Sequence, residues 1–189
     1  MDSSASVSRL PPEILTQIFL SLSDADLCAC AATCRRWRDV VSAAGFWKHR
    51  FRLRFGFVPP QDVDAREVYT GFPHDANVFP KDLRTACSFN VKLTMTSLGC
   101  HACLLDRQPV ITVTDQLIDC CRVRLNYGFR VVLLDSEDGV IDQMITKSFN
   151  TQMTGSVCYE FRSYDQTIAA IEISRESSHA GTCQLRLSF

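Results

Sequence analysis

The fold of the N-terminal part is decided by residues 10–51, which read LPPEILTQIFLSLSDADLCACAATCRRWRDVVSAAGFWKHRF. Two prolines stand before Glu13. This arrangement is typical of a helix start, because proline loses no needed N–H there and a carboxylate is favoured at the positive end of the helix dipole. Apolar residues then recur at helical spacing on one face, namely Ile14, Leu15, Ile18, Phe19 and Leu22. The pattern predicts an amphipathic first helix.

A second and a third helix are predicted directly after it. Ser23 is followed three residues later by Asp26, which is similar to a capping box with the shorter acid, so the second helix should begin near Asp24. This helix consists mostly of alanine and cysteine, which allow close helix–helix approach. The third helix carries Trp37 and should end near Trp47. Together they predict a small, tightly crossed helical unit.

These residues resemble the F-box. The frame of that family is a leucine-proline-x-glutamate start, an isoleucine-leucine-x-x-isoleucine-phenylalanine helix, an aspartate-leucine turn, a cysteine-basic-x-tryptophan helix and a final tryptophan. The matching positions are Leu10, Pro11, Glu13, Ile14, Leu15, Ile18, Phe19, Leu22, Asp26, Leu27, Cys34, Arg35, Trp37, Arg38 and Trp47. The resemblance implies docking onto the Skp-type adaptor of a cullin–RING ubiquitin ligase. The implied adaptor-binding residues are Leu10, Pro11, Ile14, Leu15, Ile18, Phe19, Leu27 and Trp37.

Composition limits the other possibilities. With 46% hydrophobic and 22% charged residues, the chain has the composition of a folded protein. Its net charge of −1 gives no reason to expect a nucleic-acid partner. No apolar run reaches the ~18 residues of a membrane helix, and the first nine residues lack a signal-peptide core. We therefore expect a cytoplasmic protein, also possible in the nucleus, with no membrane partner.

The 10 cysteines allow a metal or disulfide interpretation. Cys100 and Cys103 have the spacing of a zinc knuckle, and Cys120 and Cys121 follow at a suitable distance. The second pair, however, is adjacent at the start of a strand pattern, where the two side chains point to opposite faces. In a cytosolic protein disulfides are rare. We therefore expect reduced thiols, no metal and no cofactor.

A basic run overlaps the end of the helical pattern, at Arg35, Arg36, Arg38, Lys48, Arg50, Arg52 and Arg54. One interpretation is a nucleic-acid patch or a nuclear import signal. The other is the solvated face of the last helix, where basic residues near the C-terminus are favoured by the dipole. We favour the second interpretation.

From residue 89 onward the pattern changes to β-strands. Short runs with alternating or continuous apolar residues occupy 91–95, 110–114, 121–134, 139–145, 157–161, 168–173 and 183–189. Turn residues separate them and no helical pattern intervenes. The sequence thus predicts an α+β protein of two modules: a tail (1–8), a helical module (9–52), an ordered linker (53–88) and an antiparallel β-sandwich or jelly roll (89–189).

This β region resembles the F-box-associated domain, a galactose-binding-like β-sandwich of a receptor family with glycan-recognising members. The resemblance rests mainly on residues 104–115, LLDRQPVITVTD, and on shorter matches at 121–134, 159–165 and 179–188. The opening part of the domain is shorter here than in the family, so one or two strands are expected to be missing. We expect residues 72–79 to cover the sheet edge that this leaves. The resemblance places client binding at Ser178 and His179, where glycan-reading members have an aromatic pair.

Three functions remain open at this level. The first is a non-catalytic substrate receptor of an adaptor–cullin–F-box ubiquitin ligase, which recruits a protein or glycoprotein client through the β domain for proteasomal degradation. The second is an F-box scaffold without ligase activity, or a lectin-like receptor. The third, an enzyme, lacks support, because no glycine-rich phosphate loop, GxSxG elbow or HExxH occurs and no catalytic residue can be named.

Overall fold

The chain forms two compact units. A computed structural model describes residues 10–73, 77–117, 125–151, 156–164, 167–177 and 181–189, except for the side chains of 125–126 and 147–151. The units are Met1–Thr70 and Gly71–Phe189, so the division falls inside the segment predicted as a linker. The first is helical and the second is built from antiparallel sheets. The predicted α+β class with two modules is confirmed.

The helical unit has its helices at α1 Pro12–Leu20, α2 Asp24–Thr33, α3 Arg35–Ser42, α4 Ala44–Phe55 and α5 Ala65–Gly71. Proline occupies the start of α1. The Ser23 hydroxyl oxygen accepts the Asp26 N–H at 3.2 Å, and the hydroxyl donates to the Asp26 carboxylate at 2.6 Å. The predicted capping box and the start of α2 are confirmed.

The prediction of one third helix through Trp37 and Trp47 is wrong. The segment forms two helices, α3 and α4, separated at Ala43, whose ψ of 133° is extended. A straight helix spreads residues 37 to 47 over nearly three turns. The break lets Trp37 pack edge-on against Phe19 at 5.4 Å while Trp47 packs beside Tyr69 at 5.6 Å. Burial of both indoles therefore decides the break, and no glycine or proline at residue 43 signals it.

The β unit contains two antiparallel sheets. Its strands are β1 Phe89–Thr94, β2 Val110–Leu117, β3 Leu125–Leu134, β4 Val140–Thr151, β5 Ser156–Phe161, β6 Ala170–Ser177 and β7 Gly181–Ser188. One sheet has the order β1-β6-β3-β4 and the other β5-β2-β7. The short helix α6, Ala102–Leu105, interrupts the strand pattern and was not predicted.

Each sheet buries one face. On β2 the side chains of Ile111, Val113 and Asp115 are buried and alternate with more exposed ones, and on β6 Ile171, Ile173 and Arg175 do the same. The period of two places each set on one side of its sheet. Side chains from the two sheets meet between these faces. The strands pair in antiparallel orientation, as predicted.

The outer edge of β7 is covered by the chain that precedes the first strand. Val78 donates its N–H to the Leu185 carbonyl at 2.8 Å, and Cys183 donates to the Arg84 carbonyl at 2.8 Å. The Asn77 side-chain oxygen accepts the Leu185 N–H at 3.0 Å. The expectation that this segment covers a sheet edge is thus confirmed, although the cover extends beyond residue 79 to Arg84.

None of the helices in the described part of the chain combines the length and apolarity needed to cross a bilayer.

Candidate functional site

The first candidate site is an apolar surface on α1, which we call the α1 surface and define as Leu10, Pro11, Ile14 and Ile18. Ile14 is 46% exposed and Ile18 is 41% exposed, and Pro11 is also exposed. The two isoleucines are four residues apart, so they lie one turn apart on the same side of the helix. Exposed apolar side chains grouped in this way make the α1 surface a candidate for partner binding.

The other residues predicted to contact an adaptor lie inside the helical unit. Leu15, Phe19 and Leu27 are at most 2% exposed, and Trp37 is half-buried with its ring against Phe19. These side chains hold the helices together behind the α1 surface. In this fold they pack inside the unit and support the helix that carries the α1 surface.

Arg50 organises the helical unit and was missed by the sequence analysis. Its guanidinium is buried and donates to the carbonyls of Phe19 at 3.3 Å and Leu22 at 3.0 Å, at the C-terminal end of α1. It also donates to the Asp24 carboxylate at 2.7 Å and to the Tyr69 hydroxyl at 3.0 Å. One cation thus satisfies the orphan carbonyls of α1, the first turn of α2 and a side chain of α5.

The basic run is therefore not one solvated face. Arg36 donates to the Leu10 carbonyl, Arg38 to the Ala31 carbonyl at 3.1 Å and Arg54 to the Tyr69 carbonyl at 2.7 Å. With Arg50, these side chains bind backbone that lies distant in sequence. Arg35, Lys48 and Arg52 are exposed, as the interpretation favoured above required. The burial of Arg50 could be predicted from its position, because Arg50 lies one helical turn after the apolar Phe46 and Trp47.

Comparison with known families bears on this unit. The family model described as F-box-like matches residues 7–53, the part of the chain that holds the α1 surface and the Arg50 contacts. The N-terminal part of this chain is thus similar to F-box-like domains. The match covers the first of the two units and says nothing of the β unit.

Two curated relatives illustrate the reach of the likeness. F-box/LRR-repeat protein 5 of Danio rerio is 36% identical over 77 residues, which cover 41% of this chain and 10% of that protein. F-box only protein 31 of Xenopus tropicalis is 39% identical over 70 residues, covering 34% of this chain and 13% of that protein. The matched part is thus about a tenth of the length of these relatives.

A solved structure titled "Structure of infectious bursal disease virus Gx strain" is similar over 55% of this chain and 25% of its own, at 15% identity and a TM-score of 0.24. A TM-score this low carries no argument about fold or function.

The second candidate site lies in the β unit and centres on a buried polar network. The Tyr127 hydroxyl on β3 donates to the Asp115 carboxylate on β2 at 2.8 Å, and Arg175 on β6 lies 3.4 Å from the same oxygen. All three are buried, Asp115 and Arg175 almost completely. Arg175 also donates to the Ala86 carbonyl at 3.2 Å. The network joins the two sheets.

Gly181 is required by this network. A Cβ at residue 181 would lie 2.0 Å from Arg175 Nη2 and 2.5 Å from the Gln116 carbonyl oxygen. The backbone of β7 therefore passes directly over the guanidinium, which only glycine permits. Strand alternation signalled the network, because Asp115 follows Ile111 and Val113 on the core side while Arg175 follows Ile171 and Ile173. Neither residue was predicted to be part of a site.

Protonation of Asp115 makes the β unit sensitive to pH. Burial raises the pKa of Asp115, against the opposing effects of the Tyr127 hydroxyl and Arg175. The folded state therefore holds this proton more tightly than the unfolded chain, and the stability it contributes is lost as the pH rises from the ordinary aspartate range through the raised pKa. The neighbouring Tyr127 and Cys183 have raised pKa values, about 12 for Cys183, and stay protonated in this window.

We expect the melting temperature of wild type minus that of Asp115→Asn to fall as the pH rises above the ordinary aspartate range of about 4, because only wild type loses the buried proton. Scanning calorimetry at several pH values measures the difference. Asp142→Asn on β4 replaces a partly exposed carboxylate, serves as the control and should show no such fall. A difference that stays constant or grows with pH contradicts the prediction.

The predicted client-binding residues Ser178 and His179 lie outside the described residues. They join Ser177, the last residue of β6, to Gly181, the first of β7. Gly181 lies against Arg175, so the Asp115 network contacts the first residue of β7.

The cysteines in the described part of the chain are free thiols. Burial raises the pKa of Cys100 to about 12, so its thiol stays protonated at neutral pH. His101 Nδ1 lies 3.2 Å from Cys103 Sγ and accepts the Cys103 N–H, which caps α6. Among the described residues no group of three or more metal-binding side chains occurs, and Cys120 and Cys121 lie outside them.

Proposed function

We propose that this chain is a substrate receptor of an adaptor–cullin–F-box ubiquitin ligase, and that it acts without catalysis of its own. The F-box-like match to residues 7–53 is the observation that carries the proposal. The α1 surface supports it, since a helical unit of this size exposes Ile14 and Ile18 where a partner can bury them. The partner is a Skp-type adaptor, and through it the cullin–RING ligase.

The β unit supplies the client-binding part in this proposal. Its sheets bury their own core, and the end strands β1, β4 and β5 are available for recognition. We assign Ser178 and His179 to client contact, on the resemblance of the unit to the F-box-associated domain. The client is a protein or glycoprotein that the ligase marks for proteasomal degradation, in the cytoplasm or the nucleus.

Substitution of the α1 surface tests the docking step. We expect Ile14→Asp combined with Ile18→Asp to weaken capture of the adaptor by the full chain more than about a hundredfold, because each isoleucine contributes roughly 1.5–3 kcal/mol when buried. Biolayer interferometry with purified Skp-type adaptor measures the affinity. Leu15 and Phe19 are unsuitable for this test, since their substitution would unfold the unit instead of exposing a docking defect.

Val58→Asp is the matched control, because Val58 is 60% exposed in the same unit but lies outside the α1 surface. It should bind the adaptor like wild type. Circular dichroism checks that all variants keep their helices. Undiminished adaptor binding by the double variant overturns the proposed docking surface.

Copurification from cells separates a ligase receptor from a scaffold. Tagged full chain should recover adaptor, cullin and ubiquitinated clients, and the Ile14→Asp/Ile18→Asp variant should recover none of them. Recovery of adaptor without cullin indicates the scaffold and contradicts the receptor proposal.

A further inference from the structure

The β4 strand forms an open edge of the larger sheet. It spans 12 residues, Val140–Thr151, and stands last in the order β1-β6-β3-β4, so it pairs with β3 on one side only. Every second residue of an edge strand directs its N–H and C=O away from the sheet. The chain covers the corresponding edge of β7 with residues 77–84 but leaves β4 without such a cover among the described residues.

The registers show which residues of β4 face outward. Along each strand, successive residues direct their N–H and C=O groups to opposite sides. The Met95 N–H donates to the Ala169 carbonyl at 2.9 Å, which shows which residues of β6 direct these groups toward β1. Because the registers that link β1, β6, β3 and the middle of β4 are unbroken, Val131 and Met144 then form a hydrogen-bonded pair between β3 and β4. The residues on either side of Met144 therefore point their peptide groups to the free edge.

These residues are Gln143 and Ile145, and their side chains are exposed as well. Ile145 is 51% exposed, and Val140 nearer the turn is 56% exposed. Edge strands are usually protected against pairing by proline, bulges or inward charges. The β4 sequence VIDQMITKSFNT contains no proline, and its register with β3 is regular from Asp142 to Phe149, with an irregularity at each end of that stretch. The central part of the edge is thus regular and carries the exposed apolar Ile145.

A groove lies beside the outward residues on the exposed face of the sheet. It has a volume of about 400 Å³ and is lined by Gly128, Arg130, Ile145, Thr146, Ser174 and Glu176, with Phe129 at its base. The missing side chain of Gly128 opens it between β4 and β6. A long apolar side chain on a strand added next to β4 would pass over Ile145 into this groove.

The area favours a peptide over a second copy of the chain. Twelve extended residues span about 40 Å, and a sheet is about 10 Å thick, so edge-to-edge pairing would bury roughly 400 Å² per partner. A stable interface between folded proteins buries about 800 Å² per partner. A flexible extended peptide needs no such area, because it can follow the twist of β4 and add side-chain contacts in the groove.

We propose that the β4 edge binds an extended peptide segment of another protein by strand addition, with an apolar peptide side chain opposite Ile145. The edge supplies main-chain hydrogen bonds for affinity, and Ile145 with the groove supplies selectivity. That the bound segment belongs to a ligase client rests on the proposed function, whereas the strand addition itself does not.

A displayed library of random twelve-residue peptides, selected on the purified full chain, tests the proposal. Ile145→Pro removes one outward N–H without breaking the β3–β4 ladder, which proline tolerates on the solvent side of an edge strand. We expect selected peptides to bind this variant at least about tenfold more weakly, since a hydrogen bond is lost and the ring obstructs the added strand. Ile145→Val keeps the N–H and should bind within about twofold of wild type.

Modification of the peptide tests the same point without altering the protein. N-methylation of alternate residues on the edge of the peptide that faces β4 should abolish binding, while N-methylation of the intervening residues should leave it intact. Equal sensitivity at all positions overturns strand addition. So does the absence of enriched peptides, or equal binding to Ile145→Pro in a variant whose melting temperature matches wild type. Self-association that Ile145→Pro removes assigns the edge to a second copy and also overturns the proposal.

Adaptor capture distinguishes failure of this proposal from failure of the proposed function. The Ile145→Pro chain should bind the Skp-type adaptor like wild type, because β4 lies in the other unit. If the Ile145→Pro chain loses peptide binding but still captures the adaptor, the loss comes from the β4 edge alone. Failure of wild type to bind adaptor overturns the receptor function and leaves the peptide result standing.

Discussion

Arg175→Met is expected to lower the free energy of unfolding of the β unit by about 3–5 kcal/mol at neutral pH, because it leaves the buried carboxylate of Asp115 without its cation. In wild type the guanidinium lies 3.4 Å from that carboxylate, and both groups are almost completely buried. For a unit of this size the loss corresponds to a fall of roughly 10–20 °C in melting temperature. Thermal unfolding followed by near-ultraviolet circular dichroism measures it.

The loss should shrink at acid pH, since Asp115 can then take up a proton and needs no cation. Asp115→Asn in the Arg175→Met background should restore part of the stability at neutral pH for the same reason. Arg130→Met is the matched control: Arg130 lies on the neighbouring strand, is 44% exposed and is 3.7 Å from Glu172. Its loss should cost less than about 1 kcal/mol, as for other exposed ion pairs. Equal losses for the two variants would show that the buried ion pair contributes little.

Arg50→Met is expected to destabilise the helical unit by about 2–4 kcal/mol, because it orphans the carbonyls of Phe19 and Leu22 and removes the cation beside Asp24. Methionine keeps much of the apolar stem, so the loss reports the polar contacts. Small helical units have little stability to lose. The variant should therefore also lose adaptor binding, through unfolding of α1.

Hydrogen exchange of the α1 amides measures this effect without unfolding the β unit. Arg52→Met is the control, because Arg52 is exposed on the same helix, two residues further along. Its exchange rates and adaptor affinity should match wild type. Unchanged exchange in Arg50→Met would mean that packing of α1 alone fixes that helix, and that the four hydrogen bonds of Arg50 are not needed.

Local patterns were sufficient for most elements. The prolines before Glu13 and the Ser23–Asp26 pair act within one turn, so α1 and α2 begin where the sequence predicts. Alternation likewise predicted the strands, although β4 runs on to Thr151, beyond its predicted end at residue 145. In the turn before β4 the Asp135 carboxylate accepts the Glu137 and Gly139 N–H groups at 2.8 Å. Propensity and capping require only neighbours in sequence, which explains the agreement.

The candidate sites were predictable only in part. The α1 surface follows from helical spacing and from the likeness to the F-box, but spacing does not separate exposed Ile14 and Ile18 from buried Leu15 and Phe19. All four lie within one broad apolar stripe, and the side that remains exposed depends on where α3 and α4 pack. The β4 edge was not predicted, because strand order decides which strand is last in a sheet.

From the sequence we could predict the two-module division, the starts of the first two helices, the alternation of the strands and the likeness of residues 9–52 to the F-box. Each of these depends on contacts within a few residues or on a contiguous motif. Tertiary packing decides which groups Arg50 binds, brings Asp115 to Arg175 across the two sheets, and covers β7 while β4 has no such cover among the described residues. These outcomes join residues far apart in the chain, and their energies come from burial and hydrogen bonding that exist only once the elements pack together.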